Sequence, residues 1–71
     1  MYDEAEDAEA ELRARLTRLR QDHEDLHLAV QALINSPMPD MLVIGRLKRK
    51  KLALKDEIAR LQDAITPDII A

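Results

Sequence analysis

The sequence has no cysteine, tryptophan or phenylalanine, and its one tyrosine is Tyr2. Disulfides and metal sites built on thiolates are therefore excluded, and we expect neither a metal nor another cofactor. No apolar run approaches the ~20 residues of a membrane-spanning helix. The acidic start at residues 1–4 lacks the basic and apolar regions of a signal peptide. We therefore expect a soluble, cytoplasmic protein with no membrane segment.

Charged residues are abundant but unevenly distributed. With 71 residues, of which 35% are charged and 46% hydrophobic, the composition is typical of long helices in one small domain. The net charge is -3, yet residues 1–11 hold acidic side chains and no basic one, whereas residues 46–55 hold basic side chains and no acidic one. We treat residues 1–11 as an acidic N-terminal extension that is helical or frayed.

An apolar seam predicts the first helix, over about residues 4–35. Asp3 and Glu6 have the spacing of a capping box that would open this helix. Further along, apolar residues recur at alternating spacings of four and three, which is the heptad pattern of a coiled coil. The members of this seam are Leu12, Leu16, Leu19, His23, Leu26, Val30 and Leu33.

A loop over residues 36–40 and a second helix follow. The loop contains two prolines, which lack an N–H donor and disfavour helical geometry in the preceding residue. Asp40 is a suitable N-cap for the second helix, which is predicted over about residues 41–65 and is followed by a tail at 66–71. The second seam consists of Ile44, Leu47, Lys51, Leu54, Ile58, Leu61 and Ile65.

The two seams match as an antiparallel hairpin, because a connection this short joins antiparallel neighbours. Pairing that starts with Leu33 and Ile44 beside the loop, and ends with Leu12 and Ile65, gives every seam residue a partner. The predicted fold class is all-α. The hairpin domain, residues 12–65, is a two-helix antiparallel coiled coil that we expect to self-associate into a helical bundle.

Each seam has one polar member, His23 in the first helix and Lys51 in the second. The pairing places them in neighbouring layers, with Lys51 opposite Leu26, where they form a polar layer that sets the register at some cost in stability. A role of these two residues beyond packing stays open. His27 lies one position off the seam and is assigned to its flank.

One hairpin buries a single seam, which is a small core for a chain without disulfides. Further apolar residues lie off the seam near the loop, and like charges meet along the flanks, Arg20 near Lys55 and Asp22 near Glu57. Both features favour a second hairpin that covers the apolar residues and supplies opposite charges. The predicted self-association surface consists of Leu28, Ile34, Leu42, Val43 and Leu52.

Several of these segments together resemble a known family. They are His23 followed by Leu26, the break from Pro37 to Asp40, the sequence RLK at 46–48, and the block KLALKDEI at 51–58. The resemblance is to the YdcH-like family of short bacterial proteins of unknown function, and it covers about residues 12–65. It implies a bacterial, cytoplasmic helical hairpin, and it supplies no active site.

These observations favour a non-enzymatic structural or protein-interaction module that forms homo-oligomers and docks on a further, unidentified protein. The alternative is binding of nucleic acid or another polyanion through the basic flank around residues 46–55. A pI of about 5.2 and the lack of aromatic side chains that stack on bases weigh against it. The candidate polyanion surface consists of Arg13, Arg20, Lys48, Arg49, Lys50 and Lys55.

Overall fold

Two helices make up the fold, and the computed structural model describes them over residues 4–65, with side chains from residue 7 onward. Helix α1 spans Glu4–Ile34 and helix α2 spans Met41–Ile65. Both lie within one residue of the predicted bounds. The capping box at Asp3 and the tail at 66–71 lie outside the described residues.

The helices run antiparallel and pack along their lengths. Lys51 contacts His27 close to the loop, and Glu57 contacts Arg15 further from it, so partners move apart in sequence with distance from the loop. Antiparallel helices joined by a short connection require this order. The all-α hairpin predicted from the two seams is therefore confirmed.

Local hydrogen bonds close the first helix and open the second. At the end of α1, the Ser36 hydroxyl donates to the Leu33 carbonyl at 2.8 Å. At the start of α2, Oδ1 of Asp40 accepts from the backbone N–H groups of Leu42 at 3.0 Å and Val43 at 3.2 Å. These N–H groups have no partner within the helix. Asp40 is therefore the N-cap that the sequence predicted.

The core is a single row of side chains between the two helices. Its most buried members are Val30 and Ile44, each 1% exposed, followed by Leu16 at 8%. Val30 and Ile44 lie near the loop, so the tightest packing is at that end. The other seam positions are half-buried: Leu12, Leu19, His23, Leu26, Leu33, Leu47, Lys51, Leu54, Ile58, Leu61 and Ile65.

A hairpin of this length is an elongated body. It measures 58 × 30 × 14 Å, and its radius of gyration is 16.6 Å, against about 11 Å for a compact domain of the same length. Each helix touches only one other helix, so most of its circumference faces outward.

The N-cap gives a first prediction. Asp40→Ala should lower the free energy of unfolding by about 1 kcal/mol, because two N–H groups at the start of α2 lose their acceptor. Asp40→Asn keeps the acceptor and should cost at most about 0.5 kcal/mol, through the lost charge at the helix N-terminus. Urea unfolding followed by circular dichroism measures both. Equal losses for the two variants would contradict the capping role.

Candidate functional site

One flank of the hairpin carries a groove in which side chains from both helices meet. His23 and His27 are one turn apart on α1, and Lys51 and Lys55 are one turn apart on α2, so each pair lies on one face of its helix. Antiparallel pairing places the two faces side by side, at about the same distance from the loop. We call this the His–Lys groove, and its lining residues are His23, His27, Lys51, Leu52, Lys55, Ile58, Ala59 and Gln62.

The shortest polar contact in the groove joins Lys51 to His27. Nζ of Lys51 lies 2.9 Å from Nδ1 of His27, and the contact is partly buried. An ammonium group has only donors, so Nδ1 accepts and the neutral imidazole carries its proton on Nε2. Lys51 therefore places its stem in the seam and turns its charged end to the groove.

This contact refines the predicted polar layer. His23 and Lys51 are half-buried in the seam, where the sequence placed them. The hydrogen bond of Lys51, however, goes to His27, which sequence analysis left on the flank. The sequence did contain a sign of this contact. His27 follows His23 by four residues, so it lies at the edge of the seam, within reach of the long side chain of Lys51.

The groove is rich in nitrogen and poor in carboxylate. None of its lining residues is acidic. Among the side chains described, the salt bridges join Arg13 to Glu9 at 2.7 Å and Arg15 to Glu57 at 2.8 Å. Neither involves Lys51 or Lys55, so over residues 7–65 the ammonium groups of the groove have no anionic partner.

The opposite flank corrects one expectation about the charges. Glu57 was expected to lie near Asp22 and to require a cation from a second hairpin. The structure supplies that cation within the hairpin, because Arg15 reaches Glu57 across the helix interface. Arg15 lies one heptad before Asp22 on α1, and its guanidinium pairs with Glu57. The like-charge argument therefore does not apply to Glu57.

The apolar residues proposed for self-association are mostly exposed. The exposed fractions are 57% for Leu28, 41% for Ile34, 79% for Leu42 and 63% for Leu52, while Val43 is half-buried. Sequence analysis passed over two exposed methionines. Met38, 90% exposed, was considered only as part of the helix break at 36–40, and Met41, 70% exposed, only as the first residue of the second helix. We call the exposed set the loop-end apolar patch: Leu28, Ile34, Met38, Met41, Leu42 and Leu52.

All six residues of the candidate polyanion surface are exposed, and two of them have polar contacts within their own helices. Arg13 is engaged by Glu9, and Nε of Arg49 lies 3.4 Å from the Gly45 carbonyl on its own helix. Lys50 lies on the flank of Glu57, seven residues away on the same helix face. The remaining three are exposed on the flank of the His–Lys groove: Arg20, Lys48 and Lys55.

Comparison with known proteins gives a family match. A family model described as "Protein of unknown function (DUF465)" matches residues 16–62, which confirms the YdcH-like resemblance. No curated protein and no solved structure matches the chain. The matched region contains the whole His–Lys groove and the loop-end apolar patch. Within the part of the chain that the structure describes, neither helix is long and apolar enough to cross a membrane.

The half-buried lysine gives a second prediction. Lys51→Leu should raise the free energy of unfolding by about 1–2 kcal/mol, because a charged end at a seam position is replaced by an apolar side chain that packs against Leu26. Lys50→Leu, at the neighbouring exposed position, should change it by less than about 0.5 kcal/mol. Thermal unfolding at one fixed protein concentration compares them. A loss of stability in Lys51→Leu would show that the contact with His27 is worth more than the apolar packing.

Proposed function

Since the chain belongs to the DUF465 family, whose function is unknown, we propose its role from its own surface: a non-enzymatic interaction module that pairs with a second copy through the loop-end apolar patch. The patch is the single observation that carries this proposal. We place the module in the cytoplasm, in keeping with a chain that has no cysteine.

The surface area of the chain supports pairing. The accessible surface is 5987 Å², whereas a compact monomer of this mass exposes about 4,500 Å². The difference, about 1,500 Å², exceeds the ~800 Å² that each partner contributes to a standard protein–protein interface. The hairpin therefore exposes more surface for its mass than a compact monomer, and pairing with a second copy would cover part of it.

The chemistry of the patch supports a protein partner of the same kind. Scattered single leucines on a surface are ordinary, but these six large apolar side chains all lie in the loop-proximal half of a small hairpin. Met38 and Met41 are unbranched and adapt their shape to a facing surface. Val30 and Ile44, the two most buried residues of the core, lie in the same loop-proximal half of the hairpin as the patch.

Pairing of two identical patches follows twofold symmetry, in which the same surface serves both chains. Because the patch is at the loop end, the symmetry axis passes near the loops, and the packed halves form a short four-helix arrangement. The open ends, with the acidic residues 7–11, then point away from the axis. Leu52 belongs to the basic stretch 46–55, so this interface would border on the cations of that stretch.

Self-association gives a third prediction. Light scattering coupled to size-exclusion chromatography should give twice the chain mass at micromolar concentration. Leu52→Glu and Leu28→Glu should each shift the protein to the monomer, because a charge would be buried in the interface. The matched control is Ala14→Glu, at the same heptad position as Leu28 but two heptads away from the loop. A wild-type monomer, or equal effects of Leu28→Glu and Ala14→Glu, would contradict the proposal.

Polyanion binding is the second candidate. The observation that favours it is the set of three exposed cations on one flank, Arg20, Lys48 and Lys55, which have no ion pair within residues 7–65. Three cations of this kind give electrostatic attraction without base recognition.

We expect this attraction to be weak and dependent on salt. Retention of the full chain on heparin should be lost near 150 mM salt, since three phosphate contacts give a shallow but definite salt slope. The triple variant Arg20→Gln, Lys48→Gln, Lys55→Gln should not be retained even at low salt. Retention of the wild type above 300 mM salt would instead place polyanion binding ahead of self-association as the role of the hairpin.

A further inference from the structure

Lys51 is a half-buried cation whose contact is with an uncharged group. Its ammonium donates to Nδ1 of His27 at 2.9 Å, which satisfies one of its three donors. A neutral imidazole does not compensate the charge. Partial removal of a charge from water is costly unless an opposite charge is close by. The groove therefore offers a position where an anion would be stabilising.

Other donors line the same groove. Lys55 lies one turn from Lys51 on α2, His23 lies one turn from His27 on α1, and the amide of Gln62 lines the same groove. The proton of neutral His27 is on Nε2, which remains a donor. Ammonium, imidazole and amide N–H groups are the donors that bind carboxylate and phosphate oxygens in proteins. The groove thus has several donors and no acidic side chain of its own.

A metal ion fits this groove less well than an anion. Two histidines at a spacing of four are a familiar start of a metal site. Here Nδ1 of His27 is occupied by Lys51, and the ammonium groups of Lys51 and Lys55 repel a cation. Among the residues described, no group of three or more His, Asp or Glu side chains is placed to hold a metal.

We propose that the His–Lys groove binds an oxyanion, a carboxylate or a phosphate group, carried on a short apolar chain. The charged part would lie between Lys51, Lys55 and the imidazoles. The apolar part would lie along the wall formed by Leu52, Ile58 and Ala59. This site goes beyond the proposed self-association, because the nitrogen atoms that would hold the anion belong to Lys51, His27, His23 and Lys55, none of which is a member of the loop-end apolar patch.

The ligand class can be tested with simple probes. The ring C–H resonances of the two histidines are followed by ¹H–¹³C NMR on the full chain at constant ionic strength. The probes are hexanoate, hexyl phosphate, inorganic phosphate and 1-hexanol. We expect saturable shifts of both histidines with hexanoate and hexyl phosphate, at least tenfold weaker binding of inorganic phosphate, and no saturable shift with 1-hexanol.

Matched variants test the position of the site. Lys51→Met keeps most of the side-chain volume and removes the charge, and it should weaken binding of hexyl phosphate at least tenfold, in line with the strength of charge-assisted hydrogen bonds. Lys50→Met, on the opposite flank, should change the affinity less than twofold. Circular dichroism confirms that both variants are folded.

Three results would overturn the proposal: no saturable shift with either hexyl anion, equal effects of the two methionine variants, or binding of 1-hexanol as tight as that of hexanoate. Inorganic phosphate binding as tightly as hexyl phosphate would overturn the assignment of the apolar chain. Leu52 belongs to both the groove and the loop-end apolar patch, so the mass of the protein is measured at each end of the titration. Binding without a change in mass separates this site from self-association. The NMR shifts then test the anion site, and the mass tests the self-association, independently of each other.

Discussion

A hairpin of two helices can bury only one face of each helix, and the rest of this structure depends on that constraint. The seam must supply nearly all of the apolar burial, so its apolar members are buried or half-buried along the whole contact, with Val30 and Ile44 sealed beside the loop. Every other surface of both helices stays available. The seam has few residues, so a polar residue at one of its positions removes a noticeable part of the apolar burial that stabilises the fold.

Lys51 is such a residue, and its placement creates the most distinctive chemistry of the molecule. An exposed lysine is strongly hydrated and gains little from one neighbour. At a seam position its stem is confined, so its charged end is held against the edge of the interface, where His27 accepts from it. His23 and Lys55 lie within a turn of the same place. A lysine at one seam position thus brings several nitrogen-containing side chains together at the edge of the interface.

The shape of the hairpin connects the groove to the loop-end apolar patch. An elongated body of 58 Å exposes more surface than a compact domain of the same length. The large exposed apolar side chains lie in the loop-proximal half, which also contains the most buried core residues. The two features share Leu52, which lies beside Lys51 on α2. A partner that covers the patch would therefore change the solvent exposure of the groove, and an anion in the groove would change the charge at the border of the patch.

The sequence by itself determined the helices, the break, the cap at Asp40 and the antiparallel pairing of the two helices. These follow from the fixed period of the helix and from local hydrogen bonding, so they are readable from spacing alone. Only the tertiary structure decided that Lys51 bonds to His27, that Arg15 reaches Glu57, and that Met38 and Met41 join the exposed apolar surface. The reason is the length of the side chains: a lysine or arginine end can reach several positions on the facing helix, and the offset and rotation of the two helices select one of them.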